Sequence, residues 1–407
     1  MSKSVLVAMS GGVDSSVAAV LLRERGYICR GATMKLLDDE TGNICRYKNA
    51  ECFNKNNNIN NNINNNNNGA SAGNNCNGGK DNNNGGDNVV RVGSRTCCSL
   101  FDIEDARSAA YSLDIPFNVF NFTEEFRVDV IERFVSSYFS GFTPNPCIEC
   151  NRFMKFGKFF QRAIELGFDY IATGHYARVD RDLLTGRYLL KSGVDVIKDQ
   201  SYVLYMTTQE QLSRTLFPLG ELDKPAVREI AKRYNLSNAN KVESQDICFV
   251  PDGDYASFIE KYSGAFSEAG DFVDNSGKRL GRHRGIIRYT IGQRKGLGIA
   301  STAPYYVCAK NIVDNTIVLG RESDLYAEYV EAENINLISY EKIEKPIRIK
   351  AKVRYRQNGE WGAVEQIDDD KLRLKFDNKQ KAITTGQALV LYDGETVVGG
   401  GTITNVF

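Results

Sequence analysis

The stretch "SVLVAMSGGVDSSVAAVLLRERG", residues 4–26, places a strand, a glycine loop and a helix in immediate succession. Residues 4–9 are apolar and partly β-branched, as in a buried strand, and apolar residues return at helical spacing up to Gly26, which suits a helix C-terminus. The loop therefore lies at a helix N-terminus, where backbone N–H groups and the helix dipole favour an anion and glycines permit close approach. We predict an α/β fold with an anion site at this loop.

The residue types in the loop indicate which anion it binds. The common phosphate loop has a lysine after its last glycine, and this loop has none. It offers three hydroxyls and one carboxylate instead, from Ser10, Asp14, Ser15 and Ser16. This set suits a pyrophosphate group with its Mg²⁺, with Asp14 near the metal. A tight glycine turn in an ordinary βα unit is the alternative.

Bulk properties limit the class of protein. A chain of 407 residues predicts two to three domains, and equal numbers of basic and acidic residues, 51 each, mean that a nucleic-acid surface must come from local patches. Ten cysteines without an N-terminal signal peptide predict reduced thiols and a cytoplasmic location. No apolar run approaches the ~20 residues that span a bilayer.

The order of elements predicts three domains. Up to about residue 251, apolar strands alternate with helices, as in a parallel sheet whose ligands bind at the carboxyl ends of the strands. The loops after Met9, Met34 and Thr173 should therefore converge on one cleft. We expect a catalytic α/β domain over residues 1–251, a small linking domain over 252–322 and a β-barrel over 323–407, because short alternating runs dominate the later sequence. An Asn- and Gly-rich segment, about 54–88, is predicted to be a disordered insertion.

Two cysteine motifs carry candidate chemistry. Cys147 and Cys150 form a C-x-x-C in "TPNPCIECN", residues 143–151, a spacing compatible with half a zinc site, a redox pair, an iron–sulfur pair or two unrelated thiols. The adjacent Cys97 and Cys98 do not supply the second C-x-x-C that a structural zinc site requires. Cys248, in "SQDICF", is either a core residue or a reactive thiol. Core positions are expected for four others: Cys29, Cys45, Cys52 and Cys308.

Basic and aromatic residues interleave at residues 198–205, 282–298 and 352–362. Such patches suit a phosphate backbone with unstacked bases, so we predict RNA contact, with a solvated basic face as the alternative.

The motifs together resemble a known family. "SGGVDSS" is the signature of the PP-loop ATP pyrophosphatases, the adenine nucleotide alpha hydrolase-like fold. In combination with later motifs, the chain is similar to the bacterial tRNA-specific 2-thiouridylases over nearly its whole length outside the insertion. Those later motifs are "TPNPCIECN", "ATGHYAR", "KDQSYVLY", "SQDICF", "YTIGQRKGLGI" and "VRYRQ".

The resemblance implies ATP-dependent 2-thiolation of the wobble uridine of tRNA, by adenylation of the uracil C2 oxygen and transfer of sulfur from a cysteine persulfide. Cys248 would carry the persulfide, received from a sulfur-carrier protein, and Cys150 would be the nucleophile that leaves a disulfide with it. ATP with Mg²⁺ would be bound by Ala8, Met9, Ser10, Gly11, Gly12, Val13, Asp14, Ser15, Met34 and Gly174. The target base or the tRNA would be contacted by Asn145, Pro146, Cys147, His175, Lys198, Asp199, Gln200, Arg354, Tyr355 and Gln387. The enzyme is expected to be monomeric.

One departure keeps an alternative open. Well-known members of the family carry an aspartate, proposed as general acid/base, at the position of Cys147. A thiol there adds a third cysteine, so Cys147, Cys150 and Cys248 could hold an iron–sulfur cluster that replaces the persulfide. Two other classes compete: a PP-loop ligase acting on a small-molecule carbonyl, which needs no reactive cysteine, and a non-catalytic RNA-binding protein.

Overall fold

The computed structural model describes residues 2–37, 100–241 and 247–407. The Asn-rich insertion, Cys45, Cys52, Cys97, Cys98 and the residues Ser244 to Asp246 lie outside these described residues.

A parallel five-stranded sheet forms the first layer, as predicted. Its strands, in spatial order, are Phe117–Asn121, Ile28–Lys35, Ser4–Ala8, Tyr170–Ala172 and Thr215–Leu216. Val7 lies opposite Gly31 on one side and Ala172 on the other, so the predicted first strand is central. The strand order reverses at this strand, which opens a crevice at the carboxyl ends of Ser4–Ala8 and Tyr170–Ala172.

Helices flank this sheet and continue into the middle of the chain. Single α-helices are Val13–Glu24, Leu100–Ser112, Gln209–Ser213, Lys224–Arg233 and Tyr255–Ser263. Two longer helices contain π-helical stretches: Thr123–Phe126 continues through Arg127–Glu132 into Arg133–Phe139, and Pro146–Glu149 continues through Cys150–Phe159 into Phe160–Glu165. Short 3₁₀ turns occupy Ser201–Leu204, Ile286–Arg288 and Glu322–Leu325. The second of these π-helical stretches begins at Cys150, the second cysteine of the C-x-x-C motif. Such stretches are frequent at functional sites, which agrees with the candidate chemistry of this motif.

A four-stranded sheet follows in the chain, as the short alternating runs predict. Its order is Tyr306–Asn311, Thr316–Gly320, Asp271–Val273 and Arg279–Arg282. Phe272 and Val307 from two of its strands are fully buried, so this sheet has its own apolar side.

A six-stranded antiparallel barrel ends the chain. Its strands, in spatial order, are Tyr326–Leu337, Lys371–Lys381, Glu360–Asp368, Ile347–Lys352, Ala388–Asp393 and Thr396–Val406, and the first pairs with the last. Leu372, Leu374 and Phe376 are buried while Arg373 and Lys375 between them are exposed, which is the alternation of a strand with one face in the core.

A hairpin from the first part of the chain joins this barrel. Its strands, Ala177–Arg181 and Tyr188–Ser192, extend the barrel sheet through the pairs Thr396 with Lys191 and Val397 with Leu190. The stretch "FDYIATGHYA", residues 168–177, is therefore divided: its start belongs to the parallel sheet, and its last residue begins the hairpin.

Among the described residues, no helix is long and apolar enough to cross a membrane.

Candidate active site

The glycine loop, residues 10–16, is closed by its own hydroxyls. The Ser10 backbone N–H donates to Ser15 Oγ at 3.1 Å, and the hydroxyls of Ser15 and Ser16 both donate to the Gly12 carbonyl at 3.1 Å. Gly12 is the N-cap of helix Val13–Glu24 and has no side chain to satisfy the N–H groups of the first turn. The helix N-terminus is thus built to receive hydrogen-bond acceptors from a ligand.

Two glycines permit the close approaches around this loop. Gly11 has a φ of +72°, and a Cβ at that position would collide with the Asp102 carbonyl. A Cβ on Gly174 would lie 2.8 Å from the Ser15 nitrogen and 2.9 Å from the Asp14 carbonyl carbon. Gly174 follows strand Tyr170–Ala172, so both sides of the crevice meet at the loop, as the sequence predicts.

The Asp14 carboxylate is held by two side chains from distant elements. Its Oδ1 accepts from Lys224 Nζ at 2.7 Å and from the Tyr176 hydroxyl at 2.9 Å. A Mg²⁺ ion at Asp14, as predicted, would therefore meet a carboxylate that already accepts two hydrogen bonds. Asp14 is the one carboxylate among the side chains that we predict at the loop, so these side chains alone do not surround a Mg²⁺ ion. Proteins usually bind Mg²⁺ through one or two carboxylates together with the phosphates of the substrate.

The glycine loop is also supported by residues that the sequence does not mark as functional. Asn238 Nδ2 donates to the Gly11 carbonyl at 3.0 Å and to Ser16 Oγ at 2.9 Å. Lys241 Nζ bonds Asp102 at 2.6 Å and Asp105 at 2.7 Å. Burial lowers the pKa of Lys241, but these two carboxylates outweigh it and raise the pKa above its usual value. No local pattern marks these residues, because their partners lie more than a hundred positions away.

Other residues predicted to bind ATP fall into two groups. Ala8 and Met34 are half-buried at the carboxyl ends of neighbouring strands. Met9 and Val13 have buried side chains, and Met9 Sδ faces Gly31 in the sheet, so only the backbone of these two residues can face a nucleotide.

The cysteine turn, residues 143–150, has a defined shape. Asn145 caps its helix, because its Oδ1 accepts from the Cys147 backbone N–H at 3.1 Å, and Pro146 occupies the first turn. Cys147 is exposed and Cys150 is half-buried. Cys248 is also half-buried, and it packs with Cys150 against the same large cluster of apolar residues. All three are thiols.

The barrel contributes a tyrosine to this region. Burial, followed by the negative charges of Asp199 and Cys147, raises the pKa of Tyr355 to about 12. The Tyr355 hydroxyl donates to the Asp199 carbonyl at 3.0 Å, and the predicted contacts of Cys147 with the target base and of Tyr355 with the tRNA remain predictions. The neighbouring Arg354 is exposed and its guanidinium donates to the Ala382 carbonyl.

Glu149, between the two cysteines, was not singled out in the sequence. Burial raises the pKa of its carboxyl group, while the charges of Arg152 and Arg133 oppose the effect. The C-x-x-C turn thus contains a half-buried carboxyl group that titrates above its usual range.

Several residues predicted to lie near the tRNA have hydrogen-bond partners within the protein. His175 is buried, with Nδ1 at 2.7 Å from Thr173 Oγ1 and Nε2 at 3.1 Å from Lys155 Nζ, and its predicted place near the tRNA or target base stays a prediction. Burial and then the Lys155 charge hold the pKa of His175 well below its usual value. Gln387 is half-buried and donates to the Thr143 carbonyl at 2.6 Å, which ties the barrel to the cysteine turn.

Residues of the "KDQSYVLY" motif make hydrogen bonds inside the protein, to the α/β part of the chain and to the barrel. The Asp199 carboxylate accepts from the backbone of Gly193 and Ser201, each at 3.1 Å, and Gln200 Oε1 accepts from the Tyr176 N–H at 3.0 Å. The buried Tyr202 donates its hydroxyl to the barrel carbonyl of Ala388 at 2.8 Å. Lys198, the first residue of the motif, is half-buried.

The iron–sulfur alternative requires the three cysteines to converge. Within residues 2–37, 100–241 and 247–407, no three His, Cys, Asp or Glu side chains come together as a metal site. We therefore derive no step through a cluster.

Three family models match successive parts of the chain. The tRNA methyl transferase HUP domain matches residues 3–66 and 72–252, the tRNA methyl transferase PRC-barrel domain matches 256–321, and the aminomethyltransferase β-barrel domain matches 328–403. The parallel sheet, the glycine loop and these matches define a HUP-domain protein of the α/β class with a PRC-barrel and a C-terminal β-barrel.

Curated relatives identify the family. The tRNA-specific 2-thiouridylase MnmA of Clostridioides difficile (strain 630) is 44% identical over 403 residues, which cover 99% of this chain and 98% of the relative. The protein of the same name from Acetivibrio thermocellus is 44% identical over 401 residues, covering 98% and 99%. The chain belongs to the tRNA-specific 2-thiouridylase family. A solved structure, described as a predicted subunit of tRNA methyltransferase from Methanocaldococcus jannaschii, is 13% identical, with a TM-score of 0.26 over 56% of this chain and 74% of that chain.

Proposed function

We propose that the chain is a tRNA-uridine 2-sulfurtransferase that uses ATP to replace the C2 oxygen of the wobble uridine with sulfur. The observation that carries this proposal is the combination, in one chain, of a glycine loop at a helix N-terminus in a sheet crevice and a C-x-x-C turn that is hydrogen-bonded to the barrel. Family membership supports the reaction, and the roles given below to individual residues are part of the proposal.

The first step uses the glycine loop. The uracil C2 oxygen attacks the α-phosphorus of ATP, and pyrophosphate leaves. A carbonyl of this type is a poor electrophile, and adenylation converts its oxygen into a leaving group. Preorganised N–H groups at the helix N-terminus, with Gly11 and Gly174 allowing close approach, stabilise the phosphate charge as it develops. ATP brings its own Mg²⁺, and no step depends on a protein ligand for it.

The second step uses the cysteines. A sulfur-carrier protein loads Cys248 with a persulfide, and the Cys150 thiolate attacks the inner sulfur of that persulfide. Hydrosulfide leaves, attacks C2 of the adenylated base and displaces AMP, while a Cys150–Cys248 disulfide remains. An external dithiol supplies the two electrons that reduce this disulfide.

Exposed cations support the tRNA as partner. They lie in the two later basic-aromatic stretches and are Arg282, Arg284, Arg294, Lys295, Arg354 and Arg356. Phosphate contacts by such side chains provide affinity, and their strength falls with salt. We further propose that residues 1–251, 252–322 and 323–407 act as three domains of one monomeric enzyme.

The test is tRNA thiolation with ATP, Mg²⁺ and a persulfide-generating system, using anaerobically purified protein whose iron content is assayed. Cys150→Ser and Cys248→Ser should abolish thiolation and the release of AMP by sulfur, while leaving pyrophosphate formation in the adenylation step intact. Cys308→Ser is the matched control, because Cys308 is a half-buried thiol in the four-stranded sheet.

Other outcomes identify other activities. Activity that follows iron and also requires Cys147 would replace the persulfide by a cluster. Activity on a small carbonyl compound in both cysteine variants would support the ligase alternative. Mass spectrometry of the tRNA separates replacement of oxygen by sulfur from the addition of a methyl group, the reaction after which the matching HUP-domain and PRC-barrel families are named.

A further inference from the structure

A cavity of about 470 Å³ lies where the α/β part of the chain, the four-stranded sheet and the barrel meet. Its walls include residues 140–142, which follow helix Arg133–Phe139, and residues of strands Tyr306–Asn311 and Thr396–Val406. The residues predicted to bind ATP or tRNA are not among those that line it. A cavity of this volume can hold a small molecule, and ligand sites are frequent at domain interfaces. We call it the junction cavity.

Lining residues of the junction cavity also join the three parts of the chain. Gly141 packs against the loop after strand Tyr306–Asn311, because a Cβ on Gly141 would lie 2.8 Å from Ile312 Cδ1. Ala382 of the barrel packs against the middle part of the chain, because a Cβ on Gly292 would lie 2.9 Å from Ala382 Cβ. The junction cavity therefore belongs to the assembled protein and to no single part of it.

Two buried polar atoms of the lining residues have nothing to bond. Lys310 and Thr404 both line the junction cavity, one from the four-stranded sheet and one from the barrel. Lys310 Nζ and Thr404 Oγ1 are buried, and neither has a hydrogen-bond partner within residues 2–37, 100–241 and 247–407. Burial of an unpaired ammonium group is costly, and it lowers the pKa of Lys310 to about 8. The cavity thus offers an ammonium group and a hydroxyl to a ligand.

One carboxylate lines the junction cavity as well, but it is bonded to other groups. Asp324 Oδ2 accepts from the Arg321 backbone N–H at 2.7 Å and from Asn275 Nδ2 at 3.1 Å. It accepts no hydrogen bond from Lys310. The charge of Lys310 therefore still calls for an anion.

We propose that the junction cavity binds the oxyanion group of a small molecule, a carboxylate or a phosphate, with Lys310 as its cation and the Thr404 hydroxyl as a donor. This site is separate from the glycine loop and the cysteines, so it does not depend on the proposed function. A backbone phosphate of tRNA has the same chemistry, but the Lys310 ammonium group is buried between parts of the chain, which favours a small free ligand. A bound anion would stabilise the assembled arrangement, because its site exists only where the three parts meet.

The test follows the Lys310 amine by NMR in the full-length protein with isotope-labelled lysines. The signal that is missing from Lys310→Met identifies Lys310, and this variant should fold, because it replaces an unpaired buried cation by an apolar side chain. Without added anion, Lys310 should titrate at about 8. Millimolar inorganic phosphate or acetate, at an ionic strength kept constant with chloride, should raise this midpoint by at least about one pH unit, as expected for an anion at about ten times its Kd.

Matched measurements assign the effect to the junction cavity. Thr404→Val should reduce the rise in the Lys310 midpoint, because the ligand loses a donor. Lys278 is the control signal, since it is exposed in the turn between two strands of the same four-stranded sheet, and its midpoint should not move. The separate phosphate and acetate titrations identify the class of oxyanion that binds.

Three results would overturn the proposal. The first is a Lys310 midpoint that neither phosphate nor acetate moves. The second is an ordinary lysine midpoint without added anion, which would show that the ammonium group already has a partner. The third is a midpoint that only added tRNA moves, which would assign Lys310 to a backbone phosphate.

Discussion

The glycine loop and the cysteine turn are held in place in different ways. Hydrogen bonds to the glycine loop come from the α/β part of the chain: Tyr176, Lys224 and Asn238 donate to it. The cysteine turn is bound to the barrel instead, since Gln387 donates to the Thr143 carbonyl and the Thr143 N–H donates to the Thr385 carbonyl at 2.9 Å. The glycine loop is thus supported within the α/β part of the chain, whereas the cysteine turn is hydrogen-bonded to the barrel.

This difference teaches how the two steps can be separated. Damage at the crevice should remove nucleotide binding and leave the thiols in place. Damage at the barrel contact should lower sulfur transfer and leave nucleotide binding unchanged. The following predictions test this independence, beginning with the largest effect.

Gly174→Ala should weaken ATP binding at least about 100-fold, equivalent to about 2.7 kcal/mol. The new Cβ would lie 2.8 Å from the Ser15 nitrogen, and this neighbour is backbone that cannot turn aside as a flexible side chain can. Equilibrium ATP binding measures the effect, and the alkylation rates of Cys147 and Cys150 should match those of the wild type.

Gly359→Ala is the control for that substitution. Its Cβ would meet the flexible Lys350 side chain at 3.3 Å, and ATP binding should not change. Wild-type ATP affinity in Gly174→Ala would show that the glycine loop does not need this close approach.

Much of the fold could be predicted, because it depends on local periodicity. The strand, loop and helix of residues 4–26, the helices around the C-x-x-C and the alternating barrel strands all follow from patterns of apolar residues. The hairpin that joins the barrel could not be predicted, because its partner strand Thr396–Val406 lies about two hundred residues away and nothing local specifies the pairing.

The candidate site was predictable in its motifs and less so in its contacts. The glycine loop, Gly174 and the cysteine turn were recognised, but Lys224, Asn238 and Lys241 are ordinary helix or loop residues until the fold brings them to the loop. The "KDQSYVLY" motif shows what such a pattern leaves open. Basic residues beside tyrosines suggest an RNA surface, yet Tyr202 is buried against the barrel, and composition alone does not distinguish a buried aromatic contact from an exposed one.

Gln387→Ala should cost about 1 kcal/mol of stability, because it removes the 2.6 Å bond to the Thr143 carbonyl. Thiolation under single-turnover conditions should fall several-fold, since the turn that carries Cys147 and Cys150 loses an anchor. ATP affinity and tRNA affinity should both remain as in the wild type.

Gln380→Ala is the matched control, because the Gln380 amide bonds to two residues of the barrel region, Asn378 and Gln357. A large loss of tRNA affinity in Gln387→Ala, with thiolation of bound tRNA unchanged, would assign Gln387 to the tRNA surface instead of the cysteine turn.

His175 lies between the two regions, and its ionisation should destabilise both. Its ring joins Thr173, beside the glycine loop, to Lys155 on the cysteine helix. The chain has two histidines, and burial lowers the pKa of each, of His175 most strongly. As pH falls below about 6.5, the unfolded chain binds protons that the folded state does not bind, so the free energy of unfolding decreases.

The expected slope is at most about 1.4 kcal/mol per pH unit for each histidine, and it should be visible in denaturant unfolding between pH 7 and pH 5.5. His175→Asn should remove the larger part of this slope and His283→Asn the smaller part. Hydrogen exchange at pH 5.5 should show earlier opening of helix residues 146–165 in the wild type than at pH 7, and His175→Asn should reduce that difference. If His175→Asn keeps the full slope, the folded state already accepts the proton, and the ring does not join the two regions as a neutral group.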